Sequence, residues 1–523
     1  MTLDVGLGLA TDEMAGRRTR VLTPWLMIVA VFAVAVLLRQ VLPFNVDASW
    51  WLTVSERMLD GRRLYVDILE TNAPMASSVY LLGVALARLT NVRPEVTTDA
   101  LIFVLIAGSL TLTWRILRHS SLSGRATGGT LAVWAVVLLG VLPMYDFGQR
   151  EHLALIAMLP ALGVCILRGD REQVSPTAVL IAGLSAAITM NFKPYFALAI
   201  GFSILAAAGR ARDWRVLFAP ENWIAAALVV LHGVCTFVFY PEYFTIIYPL
   251  VRDVYLLLRA PLAALFLTSA AAVWIGSVLT VLALQNQQRK PDTASLVALA
   301  ASFGFAVVFF LQRKGWDYQA YPMVALGLMA VGCAIAAIDP ERARPWRLRA
   351  TAGFAAAAMF VKACMWFNAS VDVRQIEDQI TRLGPHPKIL MLGAAAVIGH
   401  PLVRTLRGIW VSRQEALWAR EVVRRSLIDQ SIDARTAARL GVYVERERAG
   451  LIEDFRRQPP DVILIDNQTS DWGRWAYADP EISALLKPYA LVQTIEGIDI
   501  LHRMSAAPPS QGGAVQIPEA PKG

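Results

Sequence analysis

Apolar blocks of about 16 to 25 residues, parted by short polar loops, run from residue 24 to residue 367, and blocks of that length span or nearly span a bilayer as helices. The pattern predicts spans near 24–43, 98–114, 128–143, 152–168, 176–190, 194–209, 222–240, 260–284, 294–312, 319–338 and 350–367. The segment 75–90, MASSVYLLGVALARLT, is apolar but short, and it holds two serines and Arg88. Read as a helix lying in the membrane interface, it fixes the sidedness of everything after it. Arg115, Arg118 and Arg125 then share the inner side with the N-terminus. So do Arg168 and Arg171; Arg210, Arg212 and Arg215; Arg289 and Lys290; and Arg342, Arg344, Arg347 and Arg349. Basic loops belong on the inner side, so one choice satisfies all of them. The outer loops hold residues 47–95, 145–151, 191–193, 241–259 and 313–318, and about eleven spans place 369–523 outside as well.

Past residue 368 the pattern changes to that of a small α/β domain. Lys388-Ile-Leu-Met-Leu and Asp461-Val-Ile-Leu-Ile-Asp466 read as buried strands, and 413–458 is charged with a helical period. Residues 505–523, rich in Ala, Pro and Gly, read as a disordered tail. The predicted organisation is a cytoplasmic tail over 1–23 and a transmembrane bundle over 24–368, with its first outer loop over 44–97. An extracytoplasmic α/β domain over 369–504 and the tail over 505–523 follow.

Composition agrees with this. The chain of 523 residues is 56% hydrophobic and only 17% charged, with mean hydropathy +0.48. Soluble domains carry about a quarter charged residues. The first 23 residues are polar and include Arg17, Arg18 and Arg20, and no small-residue cleavage site follows the first span, so that span reads as an uncleaved anchor. The net charge of +8 belongs to the inner loops and not to a nucleic-acid site. No zinc-finger, phosphate-loop or dinucleotide fingerprint is present, and Cys165, Cys235, Cys333 and Cys364 lie inside apolar runs without metal-ligand spacing.

Sorted by sidedness, the unusual polar motifs gather on the outer face. They are Asp47 with Glu70 and Asn72; Asp146-Phe-Gly-Gln149-Arg150-Glu151-His152; Asn191-Phe-Lys193-Pro194-Tyr195; and Arg313-Lys314-Gly-Trp316-Asp317-Tyr318. Carboxylates and cations recurring on one membrane face fit sugar transfer from a lipid phosphate. An acceptor hydroxyl needs a general base, which Asp47 can supply. A phosphate leaving group needs cations, and Lys193, Arg313, Lys314 and Arg150 are candidates. A sugar needs hydrogen-bonding and stacking partners, and Asn72, Gln149, His152, Trp316 and Tyr318 are suitable types. Each has a plainer reading: Asp47 as a helix cap, His152 as a cap or partner of Glu151, Lys193 as a snorkelling lysine, Trp316, Tyr318 and Tyr321 as interfacial belt residues.

These motifs resemble the GT-C membrane glycosyltransferases, in particular the bacterial branch akin to protein O-mannosyltransferases and the lipid A aminoarabinose transferase. The resemblance covers about residues 24–340 and implies a catalytic Asp opening the first outer loop, which Asp47 matches. The acid that often follows is replaced by Ala48, with Glu56 or Glu70 as substitutes. Asn72-Ala73-Pro74-Met75 resembles the family's Pro-Pro-Leu stretch with one proline lost, and Asp146 or Glu151 fills the acidic position of the next outer loop.

The sequence thus predicts a multi-pass inner-membrane glycosyltransferase working on the periplasmic face. Its partners are a polyprenyl-phosphate sugar donor, membrane lipid, and an exported lipid, glycan or protein acceptor, with no nucleic acid. Asp47, Glu70, Asp146 and Glu151 are the catalytic candidates. No metal ligands are assigned and no cofactor is required by the motifs, with a divalent metal left open. The alternatives are a transporter or flippase of a lipid-linked envelope intermediate, disfavoured by the one-sided polar cluster since carriers bind near the midplane, and a non-catalytic scaffold.

Overall fold

Each long apolar block of the sequence is a helix. The computed structural model describes residues 6–118, 120, 128–288, 292–339, 341, 344–468 and 470–504. The predicted tail 505–523, the loop residues Arg125, Arg289, Lys290 and Arg342, and the side chains of Arg17, Arg18 and Arg20 lie outside the described residues.

The order is α1 (Gly6–Val41), α2 (Val46–Leu59), α3 (Met75–Thr90), α4 (Pro94–Leu117), α5 (Gly128–Gly140), α6 (Arg150–Gly169), α7 (Pro176–Phe192), α8 (Ala197–Ala211) and α9 (Pro220–Phe239). Two short helices, α10 (Tyr248–Asp253) and α11 (Leu262–Phe266), lead to α12 (Ser269–Gln285), α13 (Thr293–Gln312), α14 (Asp317–Ala336) and α15 (Pro345–Phe367). Among the described residues, eight helical segments are long and apolar enough to cross a membrane, and α3, α5, α7 and α12 are shorter apolar helices. In α6 and α14, 78% of the apolar window is buried, against 11% in α1 and in the segment containing α9, so the first two form the centre and the last two the rim. Large apolar side chains stay exposed on that rim, among them Trp25, Leu26, Phe237 and Phe239. A surface of that kind suits lipid, and the chain is a polytopic helical membrane protein.

Local chemistry sets the helix ends. The predicted span 260–284 begins as the short helix α11 after Pro261 and breaks at Leu267, and the Thr268 hydroxyl then caps α12 by accepting from Ala271 N–H. Asp292 caps α13 in the same way through Ser295 N–H. Close packing in the bundle needs small residues. A Cβ at Gly304 would sit 2.4 Å from Ala199 Cα, so only glycine lets α13 lie this close to α8.

After α16 (Arg374–Leu383) the chain forms a five-stranded sheet in the order β2-β1-β3-β5-β4. Strands β1 (Lys388–Leu392), β2 (Ile409–Trp410) and β3 (Val462–Asp466) are parallel, with Ile389 opposite Val462 and Lys388 opposite Ile409. Strands β4 (Tyr489–Ile495) and β5 (Ile498–Arg503) complete it antiparallel. The connections carry α17 (Ala396–Gly399), α18 (Leu402–Thr405), α19 (Trp418–Ile428), α20 (Ala434–Arg457), α21 (Trp472–Ala478) and α22 (Pro480–Leu486).

This domain is latched onto α2 and its neighbours. Arg57 Nη1 donates to the Ser412 carbonyl at 2.8 Å and Nη2 to the Trp410 carbonyl. Arg404 pairs with Glu56 at 2.8 Å and with Glu95. Leu69 N–H donates to the Arg413 carbonyl at 2.8 Å. Leu69 precedes α3 and Glu95 follows it, so both ends of α3 approach the same domain.

Candidate active site

Asn45 shapes the start of α2. Its side-chain oxygen accepts from Asp47 and Ala48 N–H, so Asn45 is the cap and the Asp47 carboxylate, one residue into the helix, is released from that duty. Asp47 lines a cavity of about 550 Å³ between the bundle and the sheet domain. Its Oδ2 accepts from Gln149 Nε2 at 3.0 Å and lies 3.8 Å from Arg150 Nη2.

Gln149 and Arg150 are delivered by the turn ahead of α6. Gly148 sits at φ +85°, a conformation that costs other residues free energy. Its carbonyl accepts from the Tyr80 hydroxyl and its N–H donates to His152 Nδ1. Arg150 is then held by Asn72 Oδ1 and by the Trp51 ring, 4.4 Å from its guanidinium carbon.

Glu70 also lines the cavity, but both its oxygens are engaged: Oε2 accepts from Trp50 Nε1 at 2.6 Å and Oε1 from Asn72 N–H at 2.8 Å. Asp146 is 1% exposed and lines the cavity; its Oδ1 accepts from Asn45 at 3.4 Å, and its Oδ2 has no partner among the described residues. Trp316 and Tyr318 form an aromatic wall with Tyr255, whose ring lies 6.0 Å from Trp316.

The other candidates lie outside the cavity lining. Glu151 is buried and paired with Lys193, whose Nζ lies 5.6 Å from the Tyr318 ring. His152 is buried, with Nε2 2.8 Å from the Leu139 carbonyl, so the tautomer protonated at Nε2 satisfies both of its ring nitrogens. Gln149 stands behind Asp47 and donates to Asn45 and Asp47 alike. Arg313 donates to the Ala260 carbonyl, and Lys314 Nζ donates at 2.7 Å to the carbonyls of Tyr255 and Leu258. Lys314 therefore braces a cavity wall. Among the described residues, Arg150 is the single Lys or Arg side chain on the lining.

Burial pushes the Asp47 carboxyl up from its ordinary value, against the pull of Arg150 and the Gln149 bond. Burial raises Glu70 as well, and it raises Asp146 strongly, with Asp317 and Asp47 adding to the push. Lys193 is drawn down to about 8 by burial and then by Arg150, and Lys314 to about 7 by burial and then by Arg259. Among the described residues no three His, Cys, Asp or Glu side chains gather closely enough to hold a metal ion.

Lining residues to which the sequence reading gave no role include Asn45, Asp317, Tyr255 and Glu415. Asn45-Val-Asp47 is a legible cap, and Asp317 stands inside a motif already singled out. Tyr255 and Glu415 come from regions with no local signal.

No family model and no curated protein matches the sequence. Among solved structures, ArnT from Cupriavidus metallidurans bound to undecaprenyl phosphate is 14% identical, with 92% of this chain and 99% of that chain covered and a TM-score of 0.56. The apo state of the same protein gives 14%, 92%, 98% and 0.53. The oligosaccharyltransferase AglB from Archaeoglobus fulgidus, in complex with an inhibitory peptide and a dolichol-phosphate, gives 12%, 90%, 72% and 0.44. At these identities the likeness is one of fold, and the chain has the fold of the GT-C membrane glycosyltransferases.

Proposed function

We propose that this chain is a membrane glycosyltransferase that moves a sugar from a polyprenyl-phosphate donor to a hydroxyl of an exported lipid, glycan or protein. The observation that carries the reading is the pairing of Asp47 with Arg150, 3.8 Å apart in an aromatic-walled cavity at one end of a GT-C bundle. The acceptor hydroxyl gives its proton to Asp47, and its oxygen forms the new bond to the anomeric carbon. The bond from that carbon to the phosphate oxygen breaks, its electron pair leaves with the phosphate, and Arg150 neutralises the growing charge. A single displacement of this kind inverts the anomeric configuration. Gln149 orients the base, Asn72 and Trp51 orient Arg150, and Trp316 and Tyr318 offer faces for the sugar.

A base acts only when ionised, and the Asp47 carboxyl is raised above its ordinary 3.8. Transfer is therefore expected to fall on the acid side at a pH above 3.8, read from the pH dependence of kcat/KM. An acid limb at or below 3.8 would place the base elsewhere.

The arrangement in the membrane is part of the proposal: an inner-membrane bundle over 24–368 with about eleven spans, α3 in the interface, and the cavity and the 369–504 domain on the periplasmic face. The approach of both α3 ends to that domain supports it. In a version lacking native Cys, single cysteines near Asp47, Asp146, Lys193 and Trp316 are expected to react with an impermeant maleimide from outside. Reaction near Asp146 only after permeabilisation would mean that α3 crosses the membrane. The reaction itself is tested by lipid mass spectrometry of a deletion strain. A glycosylated polyprenyl phosphate is expected to accumulate and a glycosylated envelope component to disappear; an unchanged lipid and glycan profile would contradict the reading.

A further inference from the structure

One wall of the cavity is not made by the bundle. Ala394, Ala396, Val397, Glu415, Ala416 and Trp418 line it, and all belong to the C-terminal domain. Residues 394–397 follow β1, which ends at Leu392, and residues 415–418 follow β2, which ends at Trp410. These two strands are parallel, so both loops leave the same edge of the sheet. In open α/β sheets, ligands bind in the crevice outside the carboxyl ends of the strands. Here that edge is turned toward Asp47 and held there by Arg57 and by the Arg413 carbonyl.

Glu415 differs from the other lining glutamate. Glu70 has both oxygens occupied by Trp50 and Asn72, whereas Glu415 Oε1 is buried with no hydrogen-bond partner among the described residues. A buried polar atom left unpaired is costly, and a ligand that pairs it recovers that cost. The same wall carries Ala394, Ala396, Ala416 and Val397, and Trp418, whose ring lies 5.8 Å from Tyr255. Small apolar walls, one aromatic ring and one carboxyl match a sugar, which has apolar C–H faces and hydroxyl edges. Charge narrows the class further. Asp47, Glu70, Asp146, Asp317 and Glu415 line the cavity, against the guanidinium of Arg150. With that guanidinium given to the donor phosphate, the lining offers an anionic acceptor no second Lys or Arg among the described residues.

We propose that Glu415 is the positioning residue for the acceptor, holding a hydroxyl of a neutral sugar at the carboxyl edge of the sheet so that a neighbouring hydroxyl faces Asp47. This rests on the glycosyl-transfer reading. The lipid-borne donor reaches the cavity from the bilayer and the bundle, while a sugar acceptor enters from the aqueous side, where the sheet domain stands. Burial raises the Glu415 carboxyl strongly, with Asp47 and Glu70 adding to it, so the group is suited to hydrogen-bond a neutral partner.

The test uses the full-length protein in lipid nanodiscs, with saturation-transfer NMR on methyl hexopyranosides as neutral probes and glucose 6-phosphate as the anionic one. Undecaprenyl phosphate binding is measured in parallel by native mass spectrometry. The wild type is expected to bind a methyl hexopyranoside and to discriminate against the phosphorylated sugar. Glu415→Ala is expected to weaken the neutral sugar about 3- to 10-fold, the size of one hydrogen bond. Glu415→Gln is expected to restore most of that loss, and both variants to bind undecaprenyl phosphate as the wild type does. Absence of a neutral-sugar signal from wild type, equal binding of the anionic sugar, or unaltered binding by Glu415→Ala overturns the assignment. Equal loss of sugar and lipid by Glu415→Ala also overturns it, since the residue would then be structural. If wild type fails to bind undecaprenyl phosphate, the glycosyltransferase reading falls as well; if only the sugar arms fail, this inference falls alone.

Discussion

Asp47→Asn is expected to lower the proposed glycosyl transfer by about 10²–10⁴-fold, the usual loss on removing a general base. The substitution keeps the shape of the side chain. The helix cap is untouched, because Asn45 and not Asp47 accepts from the first N–H groups of α2. The new amide oxygen still accepts from Gln149, whose amide nitrogen lies 3.0 Å away. What disappears is the carboxylate beside Arg150, and with it the proposed site for the acceptor proton. Single-turnover rates and lipid binding measured on the same preparation separate the two losses. The rate is expected to fall while undecaprenyl phosphate binds at least as tightly, since Arg150 has lost a competing carboxylate. A transfer rate within a few-fold of wild type would remove Asp47 from the chemistry and turn attention to Glu70 and Asp146.

Arg150→Gln is expected to give the second large effect. Arg150 is 4% exposed and is the cation on the cavity lining among the described residues. A charge-assisted hydrogen bond contributes about 1.5–3 kcal/mol, so undecaprenyl phosphate binding is expected to weaken by about one to two orders of magnitude. Arg150 also packs on Trp51 and pairs with Asn72, so Arg150→Lys serves as the second variant. It keeps the charge but loses the fork, and an intermediate affinity is expected from it. Lys314→Met should leave lipid binding closer to wild type, because the ammonium it removes holds the Tyr255 and Leu258 carbonyls. If both Arg150 variants bind the lipid normally and Lys193→Gln does not, the phosphate lies at the Glu151–Lys193 pair.

The helical bundle was legible because its signal is one of length and hydropathy, which neighbours do not alter. The strands 388–392 and 462–466 were legible for a similar reason, as short apolar runs between polar breaks. Span 260–284 failed near its start, where the run breaks between α11 and α12 and Thr268 caps the second helix. Among the site residues, type and sidedness singled out Asp47, Glu70, Asn72, Asp146, Arg150, Trp316 and Tyr318, and all seven line one cavity. Lys193, Lys314, Arg313 and His152 carry suitable chemistry, but folding gives each a different partner: Glu151, backbone carbonyls, or the Gly148 turn. Which cation faces a cavity and which faces a carbonyl is decided by backbone placement, and residue type alone does not encode it. Glu415 was invisible because its closeness to Asp47 arises from docking a separate domain, through contacts such as Arg57 with Ser412, that no local spacing announces.

The proposed reaction is transfer of a sugar from a polyprenyl phosphate in the cavity holding Asp47 and Arg150. Its most direct test places purified wild-type protein and Asp47→Asn side by side in proteoliposomes. These contain the lipid extract of the deletion strain as donor and its envelope glycan and protein fraction as acceptor, and free polyprenyl phosphate is followed by mass spectrometry. Time-dependent release of polyprenyl phosphate, matched by loss of its glycosylated form, is expected with wild type and almost none with Asp47→Asn. Release that is absent from both, or equal in both, would contradict it.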